Sequence, residues 1–366
     1  AAIQVFVGTS ERIVTAVILA IGIAGAIEAG FGAALGLLGF GPESFMIEEA
    51  VSRAYGTFGR PNTFAGYLEM AVFPVLWLGI YRLRVLPEAL RDYRVTRNQG
   101  FSASGGSRRD LISATLLTTI LLGSAAIMFS GIIISFSRGA WIGVTVGVSV
   151  SVLVAIRRYW HVVIPAVPIA ILVALVSLSL LAPATLTNRV ESIAEEARPF
   201  DAASITITPE NFAVVERMAH WQAGWHMFED HPVTGVGAGN YNANYPDYYL
   251  RETFRTSQGH AHNFYIHMLA ENGIVGLAIY LTLILSFLLV ALRVACATHD
   301  RLTSALALGA LGTMVAVYVH NAFENLHVLN LGIQLSVSWA LAIAAHRRWI
   351  ELETAVERGC VEYSRG

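Results

Sequence analysis

Apolar residues run along this chain in blocks too long for strands and too continuous for the half-buried helices of a water-soluble globule. Runs able to cross roughly 30 Å of hydrocarbon, about 20 residues each, begin near Ile13, Thr63, Leu111, Ala140, Val162, Asn263, Leu302 and Leu329. The pattern predicts an all-α, polytopic membrane protein with about eight transmembrane helices and one large extracytoplasmic loop. The run from Ala140 to Ile156 is short and follows its predecessor after only Ser135, Phe136, Ser137 and Arg138, so these two spans form a tight helical hairpin. The first run leads straight into further spans instead of a small-residue cleavage site, which excludes a signal peptide. Four units follow: about five spans in 1–182, a loop subdomain in 183–262, about three spans in 263–346 and a cytoplasmic tail in 347–366.

Orientation comes from arginine. When the spans alternate, Arg82, Arg84, Arg91, Arg94, Arg97, Arg108 and Arg109 share one side with Arg157, Arg158, Arg293, Arg301, Arg347, Arg348, Arg358 and Arg365. Short cytoplasmic loops accumulate basic residues, so that side is expected to be inside. The opposite side holds Arg53, Arg60, Arg138 and the long loop from about Pro183 to Ala261. Connections of this length without structure of their own are uncommon. Phe212, Val215, Met218, Ala219, Trp225 and Phe228 stand at helical spacing between Asn211 and Asp230, so one or two helices are expected on or near the membrane.

Composition sharpens this picture. The chain is 55% hydrophobic and 14% charged with a mean hydropathy of +0.57, which leaves too little polar surface for an ordinary soluble protein. A net charge of −2 offers no basic face for nucleic acid. All 24 basic residues are arginine. The two cysteines, Cys296 and Cys360, suit neither a disulfide framework nor a zinc site.

Three arginines on the outer side stand beside helix-forming apolar sequence: Arg60 in Gly59–Asn62, Arg138 in Ser135–Trp141 and Arg217 in Glu216–Trp221. An arginine deep in a membrane costs up to about 2.5–3.5 kcal/mol and so faces a cavity or a partner. Guanidinium presents a planar fork of donors that suits phosphate oxygens and stays charged; the alternative is an arginine snorkelling to lipid headgroups. Gly259-His260-Ala261-His262-Asn263 stands where the long loop re-enters the membrane. An imidazole accepts a proton near neutral pH, so His262 is a candidate general base, the alternative being a cap at a helix start. No Asp-x-Asp pair and no zinc-helix spacing is present, so no catalytic metal and no cofactor is expected. Glu229 and Asp230 are adjacent and read as a solvated helix end, not a glycosidase pair. His231–Asn240 lacks the lysine of a nucleotide loop and reads as a turn whose glycines permit positive φ and close backbone approach. Tyr241, Tyr245, Tyr248 and Tyr249 suit stacking on sugars or an interfacial aromatic belt.

These motifs, in this order, resemble the O-antigen ligase and polymerase superfamily of membrane glycosyltransferases. The resemblance rests on Arg53–Asn62, Ser135–Trp141, Arg217–Trp225 with His231–Gly237, His262–Tyr265 and Glu271–Leu277, covering about residues 50 to 290. It implies transfer of a glycan from an undecaprenyl-diphosphate carrier to a lipid, glycan or protein acceptor hydroxyl at the outer leaflet of a bacterial inner membrane, inverting and without a metal. By the same resemblance His262 is the base, and Arg138 and Arg217 hold the diphosphate. Arg60, Asn62, Ser137, Asn263 and Tyr241 are lower-ranked substrate-binding candidates, and Arg60 departs from the asparagine many relatives carry there. Such ligases commonly have about twelve spans with the large loop after the ninth, here after about the fifth, so roughly four N-terminal spans are expected to be missing. A repeat-unit polymerase or a protein O-glycan ligase fits the same motifs. A small-solute transporter for inorganic carbon is the alternative from another class, disfavoured because no internal repeat is visible and the polar motifs gather at one face.

Overall fold

A computed structural model describes residues 11–48, 51–98, 104–157, 200–208 and 211–358. Its long elements are α-helices: α1 (Glu11–Leu37), α2 (Pro61–Asn98), α3 (Ser104–Ile134), α4 (Arg138–Ala155), α5 (Phe212–Asp230), α6 (Phe264–Ala297), α7 (Arg301–His320) and α8 (Leu331–Glu357). Residues Met46–Glu48 and Val51–Ser52 pair as a small antiparallel hairpin between α1 and α2. Among the described residues six helices, α1 to α4, α6 and α7, are long and apolar enough to cross a membrane. The protein is thus an all-α, multi-pass membrane protein. The expected span from Val162 lies outside the described residues. The run expected near Leu329 forms α8, whose apolar first half continues into the charged turns from His346.

α2 and α7 form the centre and bury most of their apolar length. Small residues let the helices approach, which matters where lipid supplies no hydrophobic drive for association. On α4, Gly139, Gly143 and Gly147 recur every fourth residue and face His320, Ala316 and Gly312 of α7 in antiparallel register. A Cβ on Gly143 or Gly147 would stand 2.6 or 2.7 Å from a carbonyl oxygen of α7. α1 packs through a stripe at Val14, Ile18, Gly22, Gly25, Ala29, Gly32 and Gly36, the 3-4 spacing of one helix face. α6 instead turns a broad apolar face outward, with Ile274, Ile279, Leu285 and Leu289 all exposed, as expected of a lipid-facing helix.

The two ends of the bundle differ in chemistry. At one end ion pairs and hydrogen bonds of arginine close the helices: Arg82 with Glu11, Arg301 with Glu88, Arg348 with Asp300, and Arg157 on the carbonyls of Ala295 and Cys296. At the other end the starts of α2, α4, α6 and α8 meet the ends of α1, α3 and α7. There Ala54 N–H donates to Ile134 O and Phe264 N–H to Asn321 O. α5 and the segment to Asn263 lie over this second end, anchored through α6.

Candidate active site

The second end assembles the candidate residues one backbone feature at a time. Gly59, at φ 67°, turns the chain into Pro61, which opens α2; proline suits this position because its N–H would have no helical partner anyway. Asn62 is therefore at the helix mouth. Its Oδ1 accepts from Arg53 Nη2 at 3.0 Å, while Arg53 Nε donates to the carbonyl of Ser135 at 3.0 Å. In the α3–α4 turn the Ser135 hydroxyl donates to Ile132 O and accepts from the Ser137 N–H, with Phe136 at φ 50° between them. Ser137 and Arg138 follow, both buried, at the start of α4. Arg53 thus ties the two mouths together, a role the sequence reading did not give it.

His262 is held from several directions. It sits at φ 53°, a left-handed conformation uncommon outside glycine, imposed by the capping of α6 immediately after it. Asn263 accepts from the N–H groups of Tyr265 and Ile266, so this substrate-binding candidate is the N-cap of α6. Trp221 of α5 donates its indole N–H to His262 O at 3.1 Å, and His262 N–H donates to His260 Nδ1 at 3.1 Å. His262 Nδ1 lies 3.1 Å from Glu324 Oε1, 62 residues away. Glu324, in the turn between α7 and α8, was not singled out from sequence. Its Oε2 accepts from Asn62 Nδ2. The result is a chain Arg53–Asn62–Glu324–His262 across four segments.

Electrostatics set the direction of the bond between His262 and Glu324. Burial opposes ionisation of Glu324, yet the charge and hydrogen bond of His262, then Arg217 and His260, hold its carboxyl well below the usual carboxylate range. An ionised carboxylate only accepts, so Nδ1 of His262 carries the hydrogen of this bond. Nε2 is buried and meets no hydrogen-bond partner among the described residues. Burial, partly offset by Glu324, pushes His260 down to about 3, and His262, His267 and Arg60 push the same way. His260 is therefore neutral. Arg217 and Arg60 both act on this cluster, and Arg217 lines a small pocket with Val214, Met218, Trp221 and Phe323.

His260, His262 and Glu324 place three donor atoms within 4.8 Å of one another. The two arginine charges beside them oppose a divalent cation and favour an anion. Tyr241 does not join the site. Its ring is fully buried in the loop subdomain, its hydroxyl donates to His220 O and its N–H to Glu271 Oε1, so no ring face is open for stacking on a sugar; that expectation is corrected.

Residues 123–281 match the family model described as O-antigen ligase. Over this segment the chain is similar to the O-antigen ligase family. The matched segment holds Ser137, Arg138, Arg217 and His262, whereas Arg60, Asn62 and Glu324 lie outside it. No curated protein matches the chain significantly. The match supports a membrane glycosyltransferase of the O-antigen ligase type, a family whose substrates are in general lipid-linked glycans and their acceptors.

Proposed function

We propose that this protein transfers a glycan from an undecaprenyl-diphosphate carrier to an acceptor hydroxyl, with inversion and without a metal, using His262 as general base. The observation that carries the reading is the imidazole of His262, with Nδ1 bound to Glu324, on which the charge of Arg217 also acts, and Nε2 buried with no hydrogen-bond partner among the described residues. In the transfer step the acceptor proton passes to Nε2 and the acceptor oxygen bonds the anomeric carbon. The bond from that carbon to the diphosphate breaks, and its electron pair leaves with the diphosphate. Glu324 stabilises the imidazolium so formed, as a carboxylate does in a nucleophile–histidine–acid triad. Arg138, Arg217 and Arg60 take up the charge on the leaving diphosphate, which needs no separate acid because it is already a good leaving group.

The arginine-rich end of the bundle lies opposite the site, so the positive-inside tendency turns the site outward, to the periplasmic face of a bacterial inner membrane. The acceptor belongs to the lipid, glycan or protein class.

Transfer measured in membranes, with an undecaprenyl-diphosphate glycan and native acceptor extract at matched expression, tests the reading. His262→Ala is expected to lower the rate about 100- to 10,000-fold and Arg217→Ala on the order of 100- to 1000-fold. A chelator is expected to leave the rate unchanged. Full transfer by both variants would remove the site assignment, and transfer abolished by chelation would remove the metal-free mechanism.

A further inference from the structure

We propose that Glu69 and His320, buried beneath the site, are positioning residues that set Arg138 and Glu324 relative to one another. The inference rests on the glycosyltransferase reading. Glu69 Oε2 of α2 lies 2.9 Å from His320 Nδ1 at the end of α7, and the two side chains are 0% and 1% exposed. Both are in spanning helices, where ionisable groups are costly and are retained for a reason. Neither touches the proposed reacting atoms.

Their neighbours show what the pair holds. Glu69 lies about two turns below Asn62 on the same face of α2, and Asn62 is the donor to Glu324 Oε2. His320 is the root of the turn that carries Glu324: its carbonyl accepts from Phe323 N–H at 2.9 Å, and the next carbonyl, of Asn321, accepts from Phe264 N–H at 2.8 Å. Asn321 Oδ1 closes the same turn by accepting from Leu326 N–H at 3.0 Å. The third neighbour is α4. A Cβ on Gly139 would stand 2.5 Å from His320 Cδ2, and one on Gly143 would stand 3.0 Å from Glu69 Oε1. Glycine at both positions seats α4 directly on the pair, and Arg138 precedes Gly139. The pair therefore meets the helix of Asn62, the helix of Arg138 and the turn of Glu324.

Two leucines would fill this space without burying a carboxyl and an imidazole, but they would let α7 slide along α2 with little penalty. A directional hydrogen bond fixes that register, the use for which buried polar pairs are best attested.

The test compares wild type, Glu69→Gln and the double variant Glu69→Leu/His320→Leu in membranes. Glutamine still accepts from His320 Nδ1. The double variant is expected to insert and to lose about 100-fold in kcat, the cost of a displacement of about 1 Å in a reacting constellation, with little change in the donor KM. Glu69→Gln is expected to recover most of the rate. Gly139→Ala crowds the same ring without removing a polar group and is expected to fall in kcat likewise, which keeps the inference testable if the double variant does not fold.

A second readout needs no transfer. Hydrogen–deuterium exchange at C2 of His262, followed against pH by mass spectrometry, is expected to move in the double variant toward the profile of Glu324→Gln and to stay wild-type in Glu69→Gln. Wild-type transfer and exchange in the double variant would overturn the positioning role and leave the glycosyltransferase reading intact. No transfer by the wild type would overturn that reading, and the exchange profiles would still decide the positioning role. Loss of transfer in Glu69→Gln with wild-type His262 exchange would overturn positioning in favour of a proton-carrying Glu69.

Discussion

Glu324 holds His262 through Nδ1, so on the proposed mechanism its loss is expected to be felt by the chemistry more than by the fold. Glu324→Gln keeps the volume and removes the charge; on the triad analogy transfer falls on the order of 1000- to 10,000-fold, read as kcat in the membrane assay with expression matched. His220 supplies a pH prediction. Its Nδ1 donates to Glu216 O at 2.8 Å and its Nε2 accepts from Gln258 N–H at 3.4 Å, an arrangement only the neutral ring can make. Burial, opposed by the Glu216 bond and reinforced by His262, takes its folded-state value down to about 4. A histidine free in the unfolded chain titrates near 6.5, so between these values the unfolded chain binds the proton and the folded one does not. Stability is present above about pH 6.5 and is lost as the pH falls toward about 4. Thermal denaturation across that range is expected to show the loss, and His220→Gln to reduce its slope; an unchanged slope would mean that other groups govern it. At this scale the sequence singled out the arginines and His262 as candidates, because charged groups beside apolar runs are costly and stand out. Glu324 was hidden: it sits in a short turn with no motif spacing, and its only signal was the parity of spans that places Asn321–Asn330 at the same end as His262. Tyr241 was misread because a cluster of tyrosines looks the same in sequence whether it faces a sugar or fills a core.

Elements show the same division. The helix expected from Asn211 to Asp230 is present as Phe212–Asp230, and the tight turn between α3 and α4 is where the short interval from Ser135 to Arg138 requires it. Phe212 and Trp225, read as part of its apolar face, are exposed, while Val215, Met218, Ala219 and Met227 are buried. What the apolar pattern hid is a break in α6. Gly273 has φ 61° and ψ −165° inside that helix, and the backbone of Val233 and Thr234 passes so close that a Cβ there would stand 2.3 Å from Val233 C. The glycine turn of His231–Asn240 is the partner of this break: Val236 N–H donates to Ala270 O, Gly237 N–H to Glu271 O and Ile274 N–H to Pro232 O. Glu271 completes the clamp by accepting from the N–H groups of Gly239 and Tyr241. Continuous hydrophobicity cannot reveal a break whose carbonyls are satisfied by a distant loop, and Gly273 was its only trace. Gly273→Ala is expected to destabilise the protein by at least about 1–3 kcal/mol from backbone strain, with the steric overlap added. The check is thermal denaturation with limited proteolysis of the 231–240 turn, where wild-type protection in the variant would contradict the clamp.

For the molecule as a whole, the sequence reading located both the apolar runs and the asymmetry of charge, and the fold converts these into an argument about sidedness. α2 spans 38 residues, about 57 Å at 1.5 Å per residue against roughly 30 Å of hydrocarbon, so one of its ends must project well beyond the membrane. The projecting end carries the exposed Arg91, Arg94 and Arg97, and it lies on the side where Arg82, Arg157, Arg301 and Arg348 close the bundle. The start of α2 cannot be the projecting end, because Asn62 is bonded to Arg53 and Glu324 within the site. Arginines therefore accumulate away from His262, and the positive-inside tendency places that accumulation in the cytoplasm. On that placement the proposed lipid-diphosphate donor would reach His262 only from the outer leaflet. Single cysteines in a Cys296→Ser/Cys360→Ser background decide the matter with a membrane-impermeant maleimide. Thr57→Cys and Thr256→Cys, both at exposed positions on the site end, are expected to label in intact cells. Arg97→Cys in that background, and Cys296 kept as the single cysteine of Cys360→Ser, exposed at the arginine-rich end, are expected to label only after permeabilisation. The reverse pattern would turn the site toward the cytoplasm and remove the outer-leaflet donor from the mechanism.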